Sequence, residues 1–243
     1  MGRLVDMFER VTGQPEAEEM PPKCFSYELE KRYYSQRWPV EAAPYEHLDP
    51  YLRCWLDPEA VFGGKRVLDI GAGECTYTRL IADRFVPGVI VACELFRERM
   101  LPAFRANQNP SLKAVAGDCF HLPFRSRSFD VVFASGVLSQ LPNLKDAVFE
   151  IARVLKPGGL FAGWDPNPFN PVILYRYLAT PRSANQFIFW PHKIRPVFES
   201  VGFTGTTRFF YAKLPWTRSR FLGTCVGILA YLPDGSRDES FGR

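Results

Sequence analysis

The 243-residue chain lacks the residue patterns from which most metal sites and disulfide scaffolds are built. Its three histidines, His47, His121 and His192, stand far apart, and its six cysteines form no C-x-x-C pair. Zinc sites use closely spaced histidine and cysteine ligands, so we predict no metal site. Cys93 and Cys119 fall at predicted strand ends, where a thiol acts as a small apolar residue. We therefore expect a reducing compartment and a cytoplasmic protein.

The sequence also lacks a long apolar run and a stripe of basic residues. The mostly apolar run 221–232 has twelve residues, whereas a helix that spans a bilayer needs about 20. No apolar stretch suited to export precedes the first charged residues. The net charge is +4, and the basic residues are scattered. We expect no nucleic-acid partner and no membrane contact, and flotation with liposomes tests the alternative of an interfacial contact through 221–232.

What the chain does contain is a strand, a glycine turn and a helix start in succession. The run Val67–Ile70 leads into Gly71-Ala72-Gly73, and apolar residues then recur with helical spacing from Tyr77 to Phe85. Glycine permits positive φ and lets a ligand approach the backbone, while the first turn of a helix offers unpaired N–H groups. This pattern predicts a nucleotide-like ligand.

The spacing around the turn narrows the choice of nucleotide. A dinucleotide fingerprint needs a third glycine where Thr76 stands, so NAD fits less well. Asp69 lies two places before Gly71 and completes a (D/E)-x-G-x-G pattern. This pattern resembles the first motif of the class I, Rossmann-like methyltransferases, which bind S-adenosylmethionine, although relatives often have a further glycine where this chain has Cys75. The resemblance assigns four residues of the turn to the cofactor site: Asp69, Gly71, Ala72 and Gly73.

Acidic residues at the ends of the next two predicted strands extend the resemblance. Glu94 ends the strand 89–94, where a carboxylate can accept hydrogen bonds from both ribose hydroxyls, and Leu95 then packs against the adenine. Asp118 ends the third strand, where the adenine amino group needs an acceptor. Each acid alone could be an ordinary solvated carboxylate. Together with Asp69, they mark one edge of a parallel sheet, where α/β folds bind ligands.

Three further runs resemble the type 11 small-molecule methyltransferases. They are residues 118–124, which read D-x-x-x-L-P-F, residues 128–132, which read S-F-D-x-V, and residues 156–160, which read K-P-G-G-L. By this resemblance, Cys119 and Phe120 join the cofactor site, and Ser135 and Gly136 line the methionine moiety. Relatives also carry one or two histidines where this chain has Ser139 and Gln140.

The resemblance implies an α/β fold, a three-layer Rossmann-like sandwich with a mostly parallel sheet of six or seven strands and helices on both faces. The run 221–232 is either a helix or the last strand. We expect four segments: a leader and helical cap over 1–62, the methyltransferase domain over 63–232, a lid insertion within it over about 166–192, and a disordered tail over 233–243.

In relatives, a helical cap closes over the cofactor. Tyr34 and Arg37 are therefore candidates for contact with the methionine end. The alternative is that the aromatic rings of this segment only pack the cap onto the sheet.

The expected activity is S-adenosylmethionine-dependent methyl transfer to a small-molecule acceptor, by O- or C-methylation of a sugar, lipid or secondary metabolite. A sulfonium methyl is already electrophilic, so the protein mainly has to position an acceptor and exclude water. A hydroxyl acceptor would benefit from a base, and the candidates are His192, His121 and Asp165, although a lone histidine is more often structural. The alternatives are a macromolecule (protein or RNA) methyltransferase and a catalytically idle cofactor-binding partner.

Overall fold

The structure, a computed structural model, describes residues 31, 41–179, 191–210, 219 and 221–234. Tyr34, Arg37, most of the expected leader, the centre of the expected lid and the tail beyond Asp234 lie outside the described residues. The predictions made for them stay predictions.

A seven-stranded sheet forms the middle layer, with the strand order β3-β2-β1-β4-β5-β7-β6. Strands β1 to β5 pair in parallel, and β7 pairs antiparallel with both β5 and β6. The strands are Arg66–Ile70 (β1), Val89–Glu94 (β2), Leu112–Ala116 (β3), Phe129–Ser135 (β4), Leu155–Pro166 (β5), Thr204–Phe210 (β6) and Cys225–Tyr231 (β7). The predicted Rossmann-like α/β fold is confirmed, with seven strands.

Helices follow most of the parallel strands. The α-helices are Asp49–Arg53 (α1), Pro58–Phe62 (α2), Thr76–Arg84 (α3), Arg97–Ala106 (α4), Leu144–Val154 (α5), Pro171–Ala179 (α6) and Pro191–Ser200 (α7). Two 3₁₀ turns, Glu46–Leu48 and Leu138–Gln140, complete the described helical structure. Local capping sets some of these starts: the Asn143 side chain accepts from the Asp146 amide at the start of α5.

Alternation along the strands places a hydrophobic core on each face of the sheet. Leu68 and Ile70 of β1 point into the core that α5 and α7 cover, whereas Val67 points into the core that holds Phe62 and Leu80. The side-chain period of two in a strand produces this division. The three expected layers are therefore present.

The run 221–232 resolves as a strand for most of its length. Residues 225–231 form β7, which lies between β5 and β6, with Val226 and Ile228 buried. Most of this run is thus buried in the sheet, and its exposed residues are Phe221, Leu222 and Tyr231. None of the helices within the described part of the chain is long and apolar enough to cross a bilayer.

Two buried asparagines connect the start of α6 to the turn before β7. Asn167, fully buried, donates from Nδ2 to the carbonyl of Gly223 at 2.7 Å. Asn170 donates from Nδ2 to the carbonyl of Leu222 at 3.0 Å, and its Oδ1 accepts from the first amides of α6. The Asn-rich segment that follows β5 therefore holds the entry of β7 in place.

Candidate cofactor and acceptor site

The glycine turn after β1 has a backbone that side chains would obstruct. Gly71 has a φ of +61° and Gly73 a φ of +55°, both in the left-handed region. A Cβ atom at Gly71 would lie 2.5 Å from Cγ2 of Val137. The turn is fastened to β2, because the Ala72 amide donates to the Cys93 carbonyl at 3.2 Å. The sequence therefore uses glycine where the chain turns tightly beneath an open cavity.

Asp69, the penultimate residue of β1, carries a buried carboxyl group. Its Oδ2 accepts a hydrogen bond of 2.6 Å from the Thr78 hydroxyl on α3. Burial raises the pKa of Asp69 to about 7, the Thr78 hydrogen bond lowers it, and the Glu94 charge raises it. Asp69 is thus a carboxyl group that changes charge near neutral pH.

Glu94 ends β2 and faces the same turn. It is 4% exposed, and its Oε2 accepts from the Gly73 amide at 2.8 Å. Its Oε1 accepts from the Phe96 amide at 3.3 Å and lies 3.5 Å from Nη1 of Arg99. A buried carboxylate with these donors keeps a fixed orientation beside the turn.

Two adjoining cavities open at this edge of the sheet. The first has a volume of about 150 Å³. It is lined by residues predicted for the cofactor: Gly71, Glu94, Leu95, Asp118, Cys119 and Phe120, together with Ser135 and Gly136, which were predicted for the methionine moiety. Asp118 shapes its wall through an Asx turn, since its Oδ1 accepts from the Phe120 amide at 2.9 Å.

The second cavity is larger, about 750 Å³. Asp69, Ala72 and Gly73, which were predicted for the cofactor site, line it. Gly71, Ser135 and Arg99 line both cavities, so these residues mark the junction between them. The structure thus brings the described residues predicted for the cofactor to one continuous site.

Several residues of the second cavity were not predicted from the sequence: His47, Tyr51, Tyr77, Trp164 and Arg99. The aromatic density before residue 56 was a signal for a cap, but nothing in it singled out His47 or Tyr51. Tyr77 and Trp164 pack ring to ring, with centroids 6.1 Å apart. Burial raises the pKa of the Tyr77 phenol, so this hydroxyl stays protonated and can donate a hydrogen bond.

The three predicted bases lie elsewhere among the described residues. The His121 side chain is 88% exposed and lies 3.9 Å from Asp118, and His192 is exposed with its ring 6.3 Å from that of Phe169. Asp165 is fully buried at the end of β5, where its Oδ1 accepts from the Ser139 amide at 3.0 Å. No described side chain from this trio lines either cavity. Their roles as bases stay predictions.

Asp165 instead serves the 3₁₀ turn Leu138–Gln140. It accepts at the start of that turn, and burial raises the pKa of its carboxyl to about 6, while hydrogen bonds from Ser139 lower it. Within the part of the chain that the structure describes, its Oδ2 is buried without a hydrogen-bond partner. Asp165 therefore fixes the backbone that carries Val137, the residue that packs against Gly71.

The donor and acceptor set fits a nucleoside that carries a cationic amino-acid tail. Glu94 provides a fixed carboxylate for a diol, the glycine turn leaves room along the backbone, and Asp69 provides a second carboxyl group beside the larger cavity. Among the described residues, no cluster of three or more histidine, cysteine or acidic side chains is arranged for a metal ion. The fold is that of the class I, Rossmann-like methyltransferases, and this site resembles their cofactor site.

Comparison with known proteins gives a partial match. Residues 68–163, less than half of the chain, match the family model described as a methyltransferase domain, consistent with the predicted resemblance to the type 11 methyltransferases. That match extends from β1 to the middle of β5 and so includes Asp69, Glu94 and Asp118.

Two curated relatives and one solved structure illustrate the similarity. The chain is 30% identical over 127 residues to phthiotriol/phenolphthiotriol dimycocerosates methyltransferase 1 of Mycobacterium ulcerans (strain Agy99), covering 52% of this chain and 46% of the relative. It is 34% identical over 140 residues to demethylmenaquinone methyltransferase of Renibacterium salmoninarum, covering 55% and 57%. The fold matches an S-adenosylmethionine-dependent methyltransferase from Mesorhizobium loti with a TM-score of 0.62 at 16% identity, covering 76% of this chain and 97% of that one. The chain spans about half the length of these curated relatives.

Proposed function

We propose that the protein uses S-adenosylmethionine to methylate an oxygen or carbon atom of a small, lipid-like acceptor. The observation that carries this proposal is that the two cavities meet at Gly71 and Ser135. Glu94 and Asp118 line the smaller cavity, and aromatic side chains line the larger one. A ligand that extends through both cavities has its middle part at this junction, beside the larger cavity. Binding sites for small molecules commonly have total volumes of about 300–1,000 Å³, a range that includes the larger cavity.

The residues of the first cavity would hold the nucleoside. Glu94 offers its carboxylate to the ribose, and Asp118 with Phe120 forms the wall at the adenine end. Asp69 offers a carboxyl group to the ammonium of the amino-acid tail in the second cavity. The bound cofactor supplies an electrophilic methyl group, so the chain has to orient an acceptor and keep water away.

The second cavity supports an apolar acceptor. Its walls include the aromatic side chains of Tyr51, Tyr77 and Trp164. The Tyr77 ring packs against that of Phe133, with centroids 5.6 Å apart. Aromatic side chains bind rings and chains through contact area, while their polar atoms orient the ligand. The relatives named for phthiotriol dimycocerosates and for demethylmenaquinone support the same choice of acceptor class.

His47 is the histidine that the cavity favours as a base. Of the three histidines in the chain, it is the one that lines the second cavity. His47 lies on the 3₁₀ turn Glu46–Leu48 and is exposed. If the acceptor atom is a hydroxyl oxygen, His47 is placed to take its proton.

Two experiments test the proposed function. Calorimetric titration with S-adenosylmethionine should show binding in the micromolar range or tighter, and a Glu94→Ala variant should weaken it. Incubation with methyl-labelled cofactor and a bacterial lipid extract should then yield lipids heavier by one methyl group, detected by mass spectrometry.

Three outcomes would redirect the proposal. Label retained on protein or RNA would identify a macromolecule methyltransferase, and binding without any labelled product would identify an idle cofactor-binding partner. Absence of cofactor binding would overturn the assignment. A reducing, cytoplasmic location stays a prediction.

A further inference from the structure

Arg99 on α4 occupies the junction of the two cavities. Its Nη1 lies 3.5 Å from Oε1 of Glu94, and its Nη2 lies 2.9 Å from the position that a Cβ atom at Gly73 would take. The guanidinium therefore extends across the glycine turn. Its side chain is 19% exposed, so it is partly shielded from water. A partly desolvated cation at this place interacts strongly with whatever charge enters the site.

The Arg99 guanidinium can contact a second anion besides Glu94. Charge-assisted hydrogen bonds between guanidinium and carboxylate groups have lengths of about 2.7–2.9 Å, and this pair is longer. Glu94 already accepts from the amides of Gly73 and Phe96. A guanidinium has five N–H donors in a planar fork, so it can contact two carboxylates from different directions.

The charges of the second cavity point to the anion that Arg99 binds. Its described lining residues include the acidic residues Asp69 and Glu74. Arg99 is the one lysine or arginine among them. An amino-acid tail carries one ammonium and one carboxylate group. The acidic side chains attract the ammonium and repel the carboxylate, whereas Arg99 attracts the carboxylate.

We propose that Arg99 binds the carboxylate of the cofactor's methionine tail and thereby selects amino-acid-bearing adenosyl ligands over those without a carboxylate. Arg99 is then a specificity-determining residue of the cofactor site. This inference rests on the proposed function, since it takes S-adenosylmethionine as the ligand. It is independent of the acceptor and of any catalytic base.

The test compares two ligands on four proteins. Calorimetric titration with S-adenosylmethionine and with decarboxylated S-adenosylmethionine is carried out on the full-length wild type, Arg99→Met, Arg99→Lys and Arg97→Met. Arg97 lies on the same helix and is exposed, so its variant is a matched control for the loss of one positive charge. Far-ultraviolet circular dichroism and thermal unfolding confirm that each variant is folded.

We expect wild type and Arg97→Met to prefer the carboxylate-bearing ligand by about 10- to 100-fold, the range of a hydrogen bond to a charged group. Arg99→Met should abolish this preference by losing affinity for S-adenosylmethionine alone, and Arg99→Lys should keep part of it. Equal losses for both ligands, or an unchanged preference in Arg99→Met, would overturn the inference. A wild type that binds neither ligand would instead overturn the proposed function.

Discussion

The Thr78 hydroxyl on α3 donates a hydrogen bond of 2.6 Å to Oδ2 of Asp69, the buried carboxyl group near the end of β1. The helix that follows the glycine turn therefore reaches back to the strand that precedes it. Thr78 is itself fully buried, so this contact is shielded from water. Because this hydrogen bond lowers the pKa of Asp69, the ionisation of Asp69 depends on the position of α3, the helix that follows the turn.

Cofactor affinity should depend on pH through Asp69. Burial holds the pKa of this carboxyl at about 7, so it is neutral below that pH and offers no charge to the ammonium of the cofactor. Affinity should rise by up to about tenfold per pH unit as the pH approaches 7. It should then fall again above about pH 8, where an α-amino group loses its proton. Titration calorimetry between about pH 5.5 and 8.5 measures this profile.

Two variants separate Asp69 from other titrating groups. Asp69→Asn cannot ionise and should remove the rising limb of the profile. Thr78→Val loses the hydrogen bond that lowers the pKa of Asp69, so the rising limb should move to higher pH. A rising limb that persists in Asp69→Asn would show that another group produces it.

Gly71→Ala should destabilise the protein more than Gly136→Ala. Both residues have φ near +60°, which costs an alanine about 1–2 kcal/mol. A Cβ at Gly71 also meets Val137 at 2.5 Å, whereas a Cβ at Gly136 has no described atom within 4 Å. We expect the clash to add about 1–3 kcal/mol, measured by urea unfolding. Adding Val137→Ala should relieve the clash, and a double variant no better than the sum of both single variants would contradict this account.

Asp165 should make the folded state less stable as pH rises. Burial raises the pKa of its carboxyl from 3.8 to about 6, so the folded state holds this proton more tightly than the unfolded chain. The associated stability is complete below about pH 4 and is lost as the pH rises through about 6. Relative to wild type, Asp165→Asn should gain stability across this interval, by at most about 3 kcal/mol. Unfolding temperatures from pH 4 to 8 provide the measurement.

Asp130→Asn is a control with the opposite trend. Partial burial opposes ionisation of Asp130, but the Lys156 ammonium and the Arg66 amide overcome it and lower its pKa. Its contribution is therefore present above the unfolded pKa and lost as the pH falls. The Asn variant should lose stability relative to wild type as the pH rises. Parallel trends in the two variants would refute the electrostatic explanation.

His47→Asn should slow methyl transfer to a hydroxyl acceptor by about 10²- to 10⁴-fold, because it removes the histidine that lines the acceptor cavity. Its affinity for S-adenosylmethionine should stay within about twofold of wild type. His121→Asn and His192→Asn, which alter exposed rings outside both cavities, should leave the rate nearly unchanged. The rates are measured by mass spectrometry on the acceptor found in the lipid extract. A slow His121 or His192 variant would instead support that residue as the base.

The sequence was sufficient for the parts of the fold that depend on local patterns. The glycine pair and the strand ends predicted where Asp69, Glu94 and Asp118 stand, because carboxyl ends of parallel strands share one edge of a sheet. Periodicity could not decide whether the run 221–232 is a helix or a strand. Pairing with β5 and β6 decides this, and those contacts are distant in sequence.

The residues that line the second cavity could not be predicted, for a similar reason. His47 and Tyr51 approach the glycine turn only because the segment before β1 folds across the sheet, where the Tyr45 ring lies against the Arg79 guanidinium at 4.4 Å. In the sequence, Arg99 is indistinguishable from a solvated helix residue, because its position beside Gly73 depends on the tertiary fold. Asp165 stands at the predicted strand end, but its side chain turns inward to Ser139.

The antiparallel β7 has a consequence for shortened forms of the protein. The segment matched by the family model stops at residue 163, yet β5 pairs along its outer edge with a strand that begins at Cys225. A chain cut after β5 would retain the whole glycine turn but expose a row of unpaired amides and carbonyls on β5. Such an exposed strand edge promotes intermolecular association. The smallest version expected to remain monodisperse therefore extends through Tyr231.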